Sequence, residues 1–282
     1  MVKILLLGAQ GQLGEALSPV LSSLGEVVGE RVELTQPETI QSAIARVQPD
    51  LIVNSAAYTA VDRAESDRAT AQAVNGDAPR ILAQSGIPLV QISTDYVFDG
   101  TKNCPYLETD ATAPLGIYGQ TKLAGEQAIQ QLSSDRYTII RTAWVYGAGK
   151  TPNFVKTMLR LGKEREEIRV VSDQVGCPTW TVDLASAIAT LISQDARGIF
   201  HYTNSGVASW YDFAIAIFEE AQTLGVPLTV KRVIPITTPE YPTPAKRPAY
   251  SVLSTAKITP LLGSPPPHWR KSLRKMLSQF LG

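Results

Sequence analysis

Histidine, cysteine and methionine are scarce, at two, two and three among 282 residues. His201 and His268 are far apart, and Cys104 and Cys177 form no CxxC or metal-spaced pair. No metal is therefore expected, and the cysteines read as reduced structural thiols. Net charge is missing too: 26 Lys and Arg balance 26 Asp and Glu. Without a basic footprint no nucleic-acid partner is expected. No apolar run approaches the ~18 residues of a membrane span, so no membrane partner is expected either. The opening Met1-Val2-Lys3-Ile4-Leu5-Leu6-Leu7 runs straight into glycines instead of forming a secretory leader. The expected location is the cytoplasm. Repeats are absent. What is plentiful is ordinary: 44% hydrophobic and 18% charged residues describe a globular chain with ample core for one large or two small domains.

The apolar run Val2 to Leu7 is followed by Gly8-Ala9-Gln10-Gly11-Gln12-Leu13-Gly14 and then by a stripe of Leu13, Leu17, Val20, Leu21 and Leu24. That is a strand, a glycine turn and an amphipathic helix. Gly8, Gly11 and Gly14 permit a tight turn, close approach of backbone to a pyrophosphate, and close packing of helix on strand. The helix start offers unbonded amides to phosphates. The spacing is G-x-x-G-x-x-G, a variant of the dinucleotide fingerprint. A second strand is expected at Glu26 to Gly29. The acid that meets the adenosine ribose about 20 positions on could be Glu30 or Glu33, whereas Arg31 between them could meet a 2′-phosphate. All three could equally be surface charges, so NADH and NADPH stay open.

From Pro88 to Ile92 a buried strand leads into Ser93-Thr94-Asp95 at its carboxyl end, where open α/β sheets bind ligands. Pro114 and Gly116 then break the chain before a helix that places Tyr118 and Lys122, four residues apart, on one face. A hydroxyl, a phenol and an ammonium beside one pocket suit proton transfer to a carbonyl oxygen during hydride transfer. The ammonium would lower the phenol's pKa, ~10 when free, toward the working range. The second Tyr-x-x-x-Lys, Tyr146 to Lys150, contains two glycines and reads as a turn.

Further strands are expected at Leu51 to Val53, Tyr137 to Thr142, Ile168 to Val171 and Gly198 to Tyr202. Helices are expected from Pro37, over Asp62 to Ala83, and over 153–162, 181–192, 209–225 and 269–280. The alternation specifies a doubly wound parallel sheet with helices on both faces. Small residues after the third strand, Asn54-Ser55-Ala56-Ala57-Tyr58, let a cofactor pass close to the backbone. Trp144, at a strand end, is either core packing or a platform for a ring-bearing substrate. The run Lys163-Glu164-Arg165-Glu166-Glu167 reads as a solvated helix end. In the proline-punctuated stretch 235–248, Arg247 is either a phosphate contact or a loop arginine.

Together the glycine turn, Ser93 to Gly100, Tyr118-x-x-x-Lys122 and Arg141-Thr142-Ala143-Trp144-Val145-Tyr146-Gly147 resemble the extended short-chain dehydrogenase/reductase family, and within it the dTDP-4-dehydrorhamnose reductases. The likeness continues through Asn153 to Met158, Asp173 to Thr179, Ser209-Trp210-Tyr211 and Arg247-Pro248-Ala249, nearly the full length. It implies NADPH- or NADH-dependent reduction of the 4-keto group of dTDP-4-dehydro-L-rhamnose to dTDP-L-rhamnose. Tyr118 would be the proton donor, Lys122 would tune it and hold the nicotinamide ribose, and Thr94 would complete the catalytic set. Gly8, Gly11, Gln12, Leu13, Gly14, Glu30, Arg31, Ala56, Ala57, Tyr58, Ser93, Tyr118 and Lys122 would bind the cofactor. Thr94, Asp95, Tyr118, Trp144, Asn153 and Arg247 would meet the dTDP-sugar. A Rossmann domain over 1–148, with 169–204 returning to it, is expected beside a smaller C-terminal α/β sugar-nucleotide domain over 149–168 and 205–282. The stretch Gly29 to Gln36 is shorter than is usual in the family. Some members dimerise around Mg²⁺ through glutamates; Glu15 alone stands out here, and a homodimer is expected without a metal.

Two other readings are compatible with these motifs. An epimerase or dehydratase of the same superfamily is one. A dehydratase places an Asp-Glu pair after the active-site Thr, where this chain has Asp95-Tyr96, and an epimerase would retain NAD through purification. The other is a non-catalytic dinucleotide-binding regulatory subunit, against which Tyr118, Lys122 and Thr94 stand intact.

Overall fold

β1 (Lys3–Leu7) is the strand from which the sheet grows outward in both directions. The structure is a computed structural model that describes residues 1–133 and 135–281. After β1 come α1 (Gln12–Leu21), β2 (Glu26–Glu30), α2 (Pro37–Val47) and β3 (Leu51–Asn54). Next are α3 (Val61–Ala64), α4 (Arg68–Gln72), α5 (Ala78–Gln84), β4 (Leu89–Thr94), α6 (Ile117–Leu132) and β5 (Tyr137–Thr142). The chain continues through β6 (Val145–Tyr146), α7 (Phe154–Glu164), β7 (Glu167–Val171), β8 (Val175–Gly176), β9 (Thr179–Trp180), α8 (Thr181–Ser193) and β10 (Gly198–His201). It ends with β11 (Ala208–Ser209), α9 (Trp210–Thr223), β12 (Arg232–Ile236), α10 (Thr259–Leu262) and α11 (Trp269–Leu281).

Six strands form one parallel sheet in the order β10-β5-β4-β3-β1-β2. The chain moves from β1 outward to β2, then returns past β1 to lay β3 on its other side. The carboxyl ends of β1 and β3 thus flank the topological switch point, the crevice where such sheets bind ligands. Alternation along β1 sorts its side chains between two cores. Ile4 and Leu6 pack with Leu13, Leu17, Leu184 and Ile188 of α1 and α8. Leu5 and Leu7 pack on the other face with Ile40, Val47, Leu82 and Ile129 of α2, α5 and α6. Both faces of the inner sheet are covered, which is why β1 and β3 read as nearly unbroken apolar runs.

A third core joins α7, α9 and α11 through Val155, Met158, Phe213, Ile217, Leu273 and Leu277. Asn153 starts α7 by accepting a hydrogen bond from the Lys156 amide at 3.1 Å. Ser209 and Asp212 form a reciprocal cap on α9. β7 pairs with β12 in a separate ribbon, and β9 pairs with β6 in another. α8 and β10 rejoin the sheet. The charge run also divides: Lys163 and Glu164 finish α7, whereas Glu167 opens β7.

The helix expected over Asp62 to Ala83 is broken into three pieces by a turn and by a π-helical segment, Ala73–Asp77. At its centre Asn75 is buried and faces the loop after β3. No helix among the described residues is long and apolar enough to cross a membrane.

Candidate active site

The glycine turn abuts the loop that follows β3. Gly8 has φ +77°, and a Cβ there would meet the Ala56 amide nitrogen at 2.7 Å. Ser55 anchors that loop, its amide and hydroxyl both donating to the Leu7 carbonyl at 3.1 and 2.7 Å. Gln12 ties the start of α1 to the opposite wall: Nε2 donates to the Val145 carbonyl at 3.0 Å and Oε1 accepts from Asn153 Nδ2 at 2.7 Å. The turn fits a dinucleotide pyrophosphate, because Gly11 presents no Cβ to the cavity and the first residues of α1, Gln12 and Leu13, line it at a helix start.

A cavity of about 580 Å³ runs from this turn across the carboxyl ends of the strands. Gly8, Gly11, Gln12, Leu13, Ala56 and Ala57 line one end; Ser93, Thr94, Asp95, Tyr118 and Lys122 line its floor. Trp144 lines the far wall together with Trp210. Three residues from two elements, expected to converge, do so around this space: Thr94 ends β4, and Tyr118 and Lys122 lie one turn apart on α6. A smaller cavity of about 200 Å³ lies beyond the turn, lined by Gly8, Gly11, Glu30 and Arg31 among others. Glu30 is paired there with Arg46, whereas the Glu33 carboxylate accepts from the Thr35 hydroxyl at 2.7 Å.

Several expected contacts are committed elsewhere. Gly14 packs beneath the turn instead of lining the cavity: a Cβ would lie 2.0 Å from the Gly8 carbonyl oxygen. The Tyr58 hydroxyl donates to Asp67 at 3.1 Å, away from the cavity. Asn153 uses its amide on Gln12 and the Gly147 carbonyl, 2.7 and 2.8 Å away, and its Oδ1 on the cap of α7. Arg247 grips Asp62 bidentately at 3.0 and 2.8 Å, joining the proline-rich stretch to α3. Each of these groups is thus engaged by another part of the protein, at long range for Arg247 with Asp62 and Asn153 with Gln12.

The electrostatics separate the ionisable groups. Lys122 is buried, donates from Nζ to the Ile92 carbonyl at 2.6 Å, and is pulled down to about 8 by desolvation. Tyr118 packs edge-on against Tyr96 at 5.5 Å. Desolvation pushes its phenol up to about 12, against a downward pull from the Thr94 hydroxyl. The expected lowering by Lys122 is not found in the free protein, and burial keeps the phenol protonated across the working range. Thr94 Oγ1 accepts from the Tyr96 amide at 3.2 Å and donates to Asp95 Oδ1 at 3.0 Å. Asp95 Oδ2 has no hydrogen-bond partner among the described residues. Burial raises the Asp95 carboxyl to about 6, against the pull of Ser251 and Thr94.

That raised value has a stability consequence. The unfolded Asp95 titrates near ~3.9, so between there and about 6 the folded state holds the extra proton. Stability is lost as pH rises through this window, and the penalty is full above it. Asp95→Asn is expected to raise the thermal midpoint near neutral pH and to give no such gain near about pH 3, where both states are largely protonated. Melting curves at the two pH values check this.

Sequence reasoning missed Asn75. Its Oδ1 accepts from the Tyr58 amide at 2.9 Å and its Nδ2 donates to the Tyr58 carbonyl at 3.1 Å, holding the loop that walls the cofactor end. The one local signal was Asn-Gly inside a helical pattern, which the π segment explains. Asn75→Ala leaves two peptide groups unpaired and is expected to destabilise by about 2 kcal/mol or more, with weaker dinucleotide binding; urea denaturation and a dinucleotide titration measure both. Trp144 was left open between core and platform. It adopts φ +48° and stacks on Trp210 at 3.6 Å with planes 6° apart, so it is a fixed aromatic wall of the cavity. Trp210 rests in turn on Phe154 at 4.7 Å.

The sequence model of the RmlD substrate binding domain matches residues 2–281. The chain belongs to that family. Members of the RmlD family with curated names include a dTDP-4-dehydrorhamnose reductase of Burkholderia thailandensis, 45% identical over 99% of this chain and 100% of that protein. The dTDP-4-dehydrorhamnose reductase of Escherichia coli K12 is 42% identical over 99% of this chain and 98% of its own. Among solved structures, a dTDP-4-dehydrorhamnose reductase of Clostridium acetobutylicum superposes with TM-score 0.92 at 40% identity, covering 99% of this chain and 100% of that one. One from Bacillus anthracis in complex with NADP gives 0.91 at 38% identity, covering 99% of each chain. The RmlD-family fold and the Rossmann-like sheet described above are thus the same architecture. Among the described residues, no group of three or more His, Cys, Asp or Glu is placed to hold a metal ion.

Proposed function

We propose that this chain reduces the 4-keto group of dTDP-4-dehydro-L-rhamnose to give dTDP-L-rhamnose, using NADPH or NADH. The observation that carries the reading is the convergence of Thr94, Tyr118 and Lys122 on one cavity that also contains the glycine turn. When bound, the reduced nicotinamide supplies a hydride. Tyr118 holds a proton at its phenol oxygen and gives it to the C4 oxygen of the sugar. An alkoxide is a stronger base than a phenolate even when the phenol is raised to about 12, so this transfer runs downhill. Lys122 stabilises the phenolate that remains and, with one N–H fixed on the Ile92 carbonyl, keeps its other two for a ribose hydroxyl and Tyr118. Thr94 orients the C4 oxygen, and Asp95 Oδ2 accepts from a sugar hydroxyl. Trp144 and Trp210 form the wall against which the sugar nucleotide lies.

The experiment is turnover with dTDP-4-dehydro-L-rhamnose and NADPH or NADH in separate reactions, following loss of reduced-nicotinamide absorbance. Oxidation that depends on the sugar nucleotide, with dTDP-L-rhamnose as product, is the expected result. Dinucleotide binding without oxidation in either reaction would overturn the reading. The faster reaction reports what the pair Glu30 and Arg31 selects at the adenosine end.

A further inference from the structure

The face of α6 that carries Tyr118 and Lys122 continues to Glu126, one more turn along. Glu126 does not reach the cavity. It is buried together with Ser93 and Arg141, which face each other across the β4–β5 pairing. The Ser93 hydroxyl donates to one carboxylate oxygen. Arg141 forks onto both, with Nε at 3.0 and 3.2 Å and Nη2 at 2.7 Å. The guanidinium lies over the Phe98 ring, 5.1 Å from its centroid. A buried ion pair is weak support for stability, since well-packed apolar residues often do as well. This one sits directly behind the catalytic floor, joining the helix that bears Lys122 to the strand ends that bear Ser93 and Thr94.

We propose that Glu126 is a positioning residue for Lys122: clamped by Arg141 and Ser93, its carboxylate anchors the Lys122 turn of α6 to β4 and supplies the negative charge that keeps the amine an ammonium. The inference rests on the reductase reading above. The ionisable groups around Lys122 are Tyr118 and Glu126 on α6, Asp95 and Tyr96 after β4, and Arg141 on β5. Burial holds the Asp95 carboxyl up at about 6 and the Tyr118 phenol up at about 12. Tyr96 is raised by desolvation beyond the working range. Lys122, at about 8, is the group left to set an alkaline limb, and Glu126 is the charge that opposes its desolvation. Loss of that charge moves the limb down, not up.

The test is the pH dependence of kcat and kcat/KM for the wild-type chain, Glu126→Gln, and the double variant Glu126→Gln with Arg141→Met. The single variant leaves Arg141 buried without its partner and is open to misfolding; the double variant removes both charges and keeps a side chain over Phe98. In folded Glu126→Gln the alkaline limb is expected to shift to lower pH by about half a unit or more, and in the double variant it should shift the same way by less, because the opposing Arg141 charge leaves too. kcat should fall more than dinucleotide KM rises. A limb that coincides with wild type in the folded double variant would overturn the proposal, whatever happens to kcat. A wild-type chain with no turnover would instead overturn the reductase reading, so the two failures are distinguishable.

Discussion

Tyr118→Phe is expected to lose turnover by roughly 10²-fold or more, the scale of a missing general acid, while the fold and dinucleotide affinity stay near wild type. The ring remains to pack edge-on against Tyr96, and the substitution removes one oxygen at the cavity floor. Because desolvation holds the phenol near about 12, the wild-type profile should show no loss of Tyr118's proton in the neutral range. Steady-state kinetics with a matched circular dichroism spectrum decide the matter. Turnover within about threefold of wild type would remove Tyr118 from proton transfer.

The second large effect is structural and falls on the glycine turn. In Gly14→Ala the new methyl would lie 2.0 Å from the Gly8 carbonyl oxygen and 2.7 Å from Ala9 Cα. Both are backbone, so no side chain can swing aside, and the turn must open. Overpacking of this kind is expected to destabilise by about 3 kcal/mol and to abolish dinucleotide binding. Gly11→Ala separates the two effects. Its methyl would meet a single atom, the Gly8 carbonyl oxygen at 3.1 Å, so stability should fall little. It also lines the cavity, where a Cβ intrudes on the pyrophosphate, so dinucleotide binding should still fall sharply. Chemical denaturation together with dinucleotide titration of both variants checks the contrast. Equal stability losses in the two would contradict it.

The large sheet was legible because its strands are buried on both faces. Runs such as Leu51 to Val53 and Tyr137 to Thr142 admit little else. Thr94, Tyr118 and Lys122 could be placed together because each stands at an element end fixed by a local pattern. Long-range partners could not. Nothing near Arg247 announces Asp62, nothing near Asn153 announces Gln12, and the pairing of β7 with β12 depends on two short edges meeting after the cores have formed. Glu126 reads from sequence as one more helix carboxylate. Its role depends on Arg141, whose partner on α6 nothing in the strand pattern announces. Asn75 was hidden because a π segment needs a tertiary partner, here the Tyr58 peptide group, to hold it open.

The most direct measurement is the fate of a labelled hydrogen. NADPH, or NADH if it is the faster donor, would be deuterated at the transferable nicotinamide position. It is incubated with the protein and dTDP-4-dehydro-L-rhamnose, and the sugar product is read by NMR. One deuterium at C4 of dTDP-L-rhamnose, with the hydroxyl proton coming from solvent, is the expected result. Deuterium at another carbon, or a changed sugar that carries none while the dinucleotide keeps its label, would contradict a C4 ketone reductase.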